Sequence, residues 1–223
     1  KRQVPGDSEA AALSATAQEL GADILVVGAR KGGILGRFKM GSAVNALLHS
    51  APVPVALAPR GYSHPGPISR ITTFFGPRQG TSDVIAIGLD RARRRGVSLR
   101  LVSLVLSGES DMQGLGTDVP SAVRAYANRR LGDVAQHMLD AGHATTEVAS
   151  GKDVAEALEK LEWDHGELAV VGSSRMAVPG RLFLGTTASR MLRLIPVPML
   201  VVPAGYMQAG EDENLIPKGG KNT

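Results

Sequence analysis

The sequence predicts an α/β protein built on a doubly wound, five-stranded parallel sheet, present in two tandem copies of which the first is incomplete. Three observations carry this. Short apolar runs alternate with helix-patterned segments, the alternation continues for five strands in one stretch, and much of the chain repeats itself. Ile24–Tyr62 lies on Leu168–Tyr206 without a gap. Within it Val26-Val27-Gly28 matches Val170-Val171-Gly172, Gly36-Arg37 matches Gly180-Arg181, Pro52-Val53-Pro54 matches Pro196-Val197-Pro198, and Pro59-x-Gly61-Tyr62 matches Pro203-x-Gly205-Tyr206. The period is that of a domain, too long for a stacked solenoid unit.

In the first copy, Val4 closes a strand and Asp7 or Ser8 caps a helix to about Leu20. Ile24–Val27 is a strand, Gly41–Ser50 a helix and Val53–Leu57 a strand. A Pro65-Gly66-Pro67 stretch marks a linker over residues 63–67, after a first unit at 1–62. The second copy, 68–206, reads in full. Ile71–Phe75 is a strand; Ser82 or Thr81 caps a helix to about Arg95, with Val84, Ile87, Gly88 and Arg91 on successive turns and Gly96 ending it. Ser98–Leu106 is almost continuously apolar, broken by Arg100 and serines, which suits a strand covered on both faces. Thr117 or Asp118 opens a longer helix through Met138. Strands over Ala144–Ala149, Leu168–Val171 and Val197–Val202 then alternate with helices over Asp153–Trp163 and Gly185–Leu194. The polar tail 207–223 is expected to be disordered or weakly docked.

Composition narrows the function classes. The 223 residues contain no Cys, which excludes a disulfide scaffold, Cys-ligated metal and thiol catalysis, and makes a reducing cytoplasmic home the expectation. A net charge of +4 from 25 Lys+Arg and 21 Asp+Glu is too weak a field for a nucleic-acid-binding stripe. No run of 18 apolar residues occurs, so no membrane insertion is expected in this segment. The chain begins with Lys1, and if the first copy is built like the second, residues matching Ile68 to about His143 are expected ahead of it.

The chemistry-bearing motif occurs twice: a strand ending in Gly, a long Gly- and Arg-containing loop, then a helix opened by Gly-Ser or Gly-Thr. These are Gly28…Gly41-Ser42 and Gly172…Gly185-Thr186. A glycine-led helix start presents unpaired N–H groups and a positive dipole end to an anion, and Ser42 or Thr186 can add a hydroxyl. The structural alternative is a tight loop-to-helix entry that Ser42 and Thr186 cap.

The segments GARKGGILGRFKMGS (28–42) and GSSRMAVPGRLFLGT (172–186), each followed by a helix and by APVPVALAP or IPVPMLVVP, resemble the signature of the universal stress protein family. The resemblance covers nearly the whole chain and implies an adenine-nucleotide α-hydrolase-like fold. It also implies a loop that cradles ATP phosphates, an Asp at the end of the first strand that holds the nucleotide, and last strands that pair two domains. Carried over residue by residue, Gly28, Gly41 and Ser42 match in the first copy and Gly172, Gly185 and Thr186 in the second.

The departures point away from ATP. The signature's middle glycine is Lys31 in one copy and Arg175 in the other, and the first-strand Asp is replaced by Phe75 or Gly76. Lys31 and Arg175 either bind an anion in a different way, with Arg175 as a cofactor-binding candidate, or fill a disused site. The latter reading is favoured for ATP.

His49, His64, His137, His143 and His165 lack metal-ligand spacing and are expected at the surface, as is the polar face of Glu156, Glu159, Lys160 and Glu162. Arg91, Arg93, Arg94 and Arg95 suit a helix C-terminus, and Trp163 a helix-end packing role. No nucleophile–base pair is legible, so no catalysis is expected. The resulting expectation is a non-catalytic stress-linked binding or signalling protein with a degenerate nucleotide site. Its domains pair through Pro52–Ala58 and Val197–Val202, within one chain or as a homodimer, and an unidentified protein is a further partner. The alternatives are an ATP-binding, slowly hydrolysing regulator and a soluble regulatory domain of a membrane transporter.

Overall fold

The computed structural model describes residues 7–28, 41–59, 61–75, 81–106, 140–174, 177 and 180–206. Helix α1 (Glu9–Glu19) starts where Ser8 Oγ accepts from Ala11 N at 3.1 Å. Strand β1 (Leu25–Gly28), helix α2 (Ser42–Ser50) and strand β2 (Val55–Ala58) follow. Beyond them come β3 (Arg70–Phe75), α3 (Thr81–Arg95), β4 (Ser98–Leu106) and β5 (Ala144–Gly151). The chain continues through α4 (Val154–Glu159), β6 (Glu167–Gly172), α5 (Thr186–Leu194) and β7 (Met199–Val202).

The strands form one mostly parallel seven-stranded sheet in the order β1-β2-β7-β6-β3-β4-β5. Its right-hand five strands, β7 to β5, are mutually parallel, as expected; β1 and β2 extend the sheet instead of standing in a separate one. Among the described strands the antiparallel junction is β2 against β7, with Val55 opposite Val201, Ala56 opposite Leu200 and Leu57 opposite Met199. β1 meets β2 in the register Leu25↔Val55, and β6 meets β7 in the register Ala169↔Met199, which are matching positions of the sequence repeat.

Alternate residues of the strands feed two cores. On one face Ala169, Val171, Met199 and Val201 pack with Leu47 and Leu48 of α2, Ala157 and Leu158 of α4 and Met191 and Leu192 of α5. On the other, Val170, Leu200 and Val202 pack with Val84, Ile85 and Ile87 of α3. Helices on both faces are what a doubly wound sheet requires. α3 sits close because Gly88 has no side chain: a Cβ there would fall 2.0 Å from Thr73 Oγ1.

Element ends differ from the sequence reading in a few places. The helix expected over Asp153–Trp163 is only α4, because Asp153 is its N-cap, accepting from Glu156 N at 3.0 Å, and Lys160 is its C-cap. Both last strands start two residues later than expected, after Pro54 and Pro198, whose rings cannot donate a ladder hydrogen bond. The strand ending at Val4, the helix from Thr117 or Asp118 and the 207–223 tail lie outside the described residues.

Candidate functional site

In the second copy, β6 ends on Gly172 and α5 begins after Gly185. Gly185 is the N-cap, with φ −71° and ψ 171° and no side chain to offer the first turn. This corrects the capping role considered for Thr186, which is the first helical residue and exposed. The N–H groups at this helix start therefore have no capping oxygen from the cap residue, an arrangement with the chemistry to accept an anion. Gly185 is also sterically confined, since a Cβ would meet Ser174 Cβ at 3.2 Å. Gly172 answers to packing: a Cβ would fall 2.5 Å from Val84 Cγ2, so its absence lets α3 lie against β6.

The arm leading into Gly185 is pinned on both sides. Ser174 N donates to Phe183 O at 2.8 Å and Phe183 N donates to Ser173 Oγ at 3.0 Å. Toward the other half, Leu182 N donates to Ala51 O at 2.9 Å, Leu184 N to Leu48 O at 2.9 Å and Arg181 Nη1 to Ser50 O at 3.0 Å. These acceptors are carbonyls at the C-terminal end of α2, which a helix leaves without internal partners. His49 stands edge-on to Phe183, ring centroids 5.0 Å apart. The second signature loop is thus mechanically continuous with a helix of the first half.

The first copy repeats the geometry where it is described. Gly41 is the N-cap of α2 at φ −74° and ψ 167°, again without a side-chain bond, so Ser42 is likewise the first helical residue and not the cap. Gly28 ends β1, and a Cβ there would meet nothing within 4 Å among the described residues. Lys31 and Arg175 lie outside the described residues. Each glycine pair is brought to one end of its own strand–helix unit; the two units are not brought together, because β1 and β6 run in opposite directions.

Of Phe75 and Gly76, where the resemblance implies an acid, Phe75 ends β3 at 7% exposure inside one of the two cores, and Gly76 lies outside the described residues. The sequence reading missed the most buried charges among the described residues. Glu167 and Arg100 are 1% and 5% exposed, with Arg100 Nη2 on Glu167 Oε1 at 2.7 Å. Arg70 Nη2 holds Glu167 Oε2 at 2.7 Å, the Thr72 hydroxyl donates to Glu167 Oε1, and Arg100 Nη1 reaches Glu162 O at 2.9 Å. The signal was present: an Arg inside an apolar parallel strand needs a buried partner. Trp163 lies beyond α4, over Arg100, whose guanidinium carbon is 5.3 Å from the ring centroid.

The histidines divide. His49, His143 and His165 are exposed as expected, His64 is half-buried with Nε2 3.1 Å from Pro67 O, and His137 lies outside the described residues. Among the described residues no group of three or more His, Asp or Glu could hold a metal ion, and no helix is long and apolar enough to cross a membrane.

Comparison with known proteins places this geometry. The universal stress protein family matches over residues 1–59 and 76–203. Universal stress proteins of Mycobacterium bovis and Mycobacterium tuberculosis are 31% identical over 202 residues, spanning 88% of this chain and 69% of theirs. Among solved structures, a Pseudomonas aeruginosa protein of the universal stress protein type superposes with a TM-score of 0.64 at 19% identity, covering 94% of this chain and 73% of that one. A universal stress protein of Archaeoglobus fulgidus gives 0.60 at 18%, covering 84% and 65%. These two likenesses speak for the fold; with the family match and the mycobacterial relatives, they lead to one conclusion, that this chain belongs to the universal stress protein family.

Proposed function

We propose that this is a non-catalytic stress-response binding or signalling protein whose nucleotide site is degenerate and whose two tandem copies are held together through their last strands. The observation that carries the reading is the end of β3. Buried Phe75 or the following Gly76 stands where the family's nucleotide-holding Asp is implied, so neither offers a carboxylate there. The residues fit a phosphate group at the starts of α2 and α5, at Gly41-Ser42 and Gly185-Thr186, with Gly28 and Gly172 entering the loops. They do not fit a nucleoside held by an acid. The identical registers of β1–β2 and β6–β7, with Ala56 opposite Leu200 at the centre of the antiparallel junction, support tandem copies paired about a pseudo-two-fold axis.

The test is nucleotide content and binding of the purified chain. The expected result is no co-purifying nucleotide and no stoichiometric ATP binding by calorimetry. Bound ATP that disappears in Gly185→Val would overturn the degenerate-site reading. It would favour instead an ATP-binding regulator, the second reading, which the uncapped start of α5 supports.

A further inference from the structure

We propose that the cleft at the junction of the two halves, between Tyr62 and Trp163, binds a small organic cation with an apolar body. The cleft holds about 360 Å³, within the range of small-molecule sites. Pro59, beyond β2, and Pro196, ahead of β7, supply apolar wall from either side of the antiparallel junction, and Tyr62 and Trp163 supply aromatic wall. Both rings are fixed: the Tyr62 hydroxyl donates to His165 O at 2.6 Å, and Trp163 Nε1 to Leu158 O at 3.4 Å. Preset aromatic surface costs little ordering entropy on binding.

Charge selects the ligand. Among the described residues, Arg70 and Arg100 beneath the cleft are matched by Glu167 and Glu147, and the charged side chain on the cleft wall is the Asp164 carboxylate. Asp164 accepts from neutral donors, Ser69 Oγ at 2.9 Å, Gly166 N at 3.4 Å and the His165 backbone amide, and no cation within salt-bridge distance of it is found among the described residues. Those hydrogen bonds, with Arg70 nearby, hold its carboxyl below the usual range. An ionised carboxylate beside two aromatic rings and two prolines is complementary to an amine carried on a hydrocarbon body.

The sequence repeat provides an internal control. Tyr206 repeats Tyr62, and its hydroxyl likewise donates to a backbone carbonyl of the other half, Asp23 O at 3.2 Å. Trp163, Asp164 and His165, however, lie past the C-cap Lys160 of α4 in a connection longer than the one ahead of β1, where Glu19 still belongs to α1 and Leu20 is its C-cap. The tyrosine clasp is common to both copies and the aromatic and acidic wall is not, so the fold does not demand that wall.

Trp163 is the chain's single tryptophan, so its emission, excited selectively beyond the tyrosine band, reports on this cleft. The probes are phenethylamine, phenylethanol and phenylacetate, which share a ring and chain and differ in charge. The expected result is a saturable change with phenethylamine, binding about tenfold weaker for phenylethanol and weaker still for phenylacetate. Asp164→Asn should bring phenethylamine to the level of phenylethanol in a chain that still unfolds cooperatively. Equal responses to the three probes, no saturable response, or an Asp164→Asn chain that binds phenethylamine as well as the parent would overturn the proposal.

Discussion

Glu167→Gln removes one buried negative charge without changing the shape of the side chain. In the folded chain Glu167 is fully enclosed and accepts from Arg100, Arg70, Thr72 and the Asp164 amide, while the Arg100 side chain is 6% exposed. Breaking one partner of a buried pair costs about 3–5 kcal/mol, because the other charge is left without compensation. Arg100 keeps Glu162 O at 2.9 Å and the partly exposed Glu147 at 3.3 Å, so the lower end, about 3 kcal/mol, is expected here. For a chain of this length that is a fall of about 6–12 °C in melting temperature. Arg100→Met should cost a similar amount, leaving Glu167 with Arg70. The double variant should cost no more than the larger single change, a coupling of about 3 kcal/mol. Urea unfolding of the four chains measures all of this. Single variants costing under about 1 kcal/mol, or strictly additive losses, would refute the view that these charges are one enclosed unit.

Other predictions follow from close approaches and from titration. Gly172→Ala places a methyl against Val84 and should cost about 1–3 kcal/mol in urea unfolding, with Val84→Ala in the same chain restoring much of it. Gly88→Ala should destabilise comparably by forcing α3 away from Thr73, seen as lost hydrogen-exchange protection in β3. Burial pushes the Tyr62 and Tyr206 phenols above their usual 10.0, Asp164 and Asp23 adding in the same direction. Their raised folded values mean that this stabilisation is complete below pH 10.0 and lost as pH rises through them. The Tyr62→Phe, Tyr206→Phe chain should lack that alkaline step in its unfolding profile. Asp164 and Glu156, both held below their ordinary values by hydrogen bonds, act in the opposite sense. Their contribution is complete above pH 4.5 and disappears as pH falls through their folded values, which acid titration of unfolding midpoints measures.

Much of this was legible in the sequence because its signals are local. Ser8 before a helical run, Asp153 before another and glycines after strands each act within a few residues, and the described elements fall where those signals put them. The repeat carried the larger organisation, since matching glycines and prolines imply matching turns. Gly61 and Gly205, for example, share φ values of +73° and +72° in the two Pro-x-Gly-Tyr turns. What escaped depends on residues far apart in the chain. Nothing near Arg100 announces that Glu167 is its partner, and nothing in the Trp163 region announces that Tyr62 closes over it. The reasons for Gly172 and Gly88 are likewise a valine and a threonine on other elements.

The antiparallel meeting of β2 and β7 has a geometric corollary. Because the halves run in opposite senses, Gly28 and Gly172 point to opposite rims of a single sheet. Four residues of strand length and three strand spacings separate them by about 20 Å. The two rims are therefore distinct places, and the sheet between them fixes both their separation and the opposite directions in which they open.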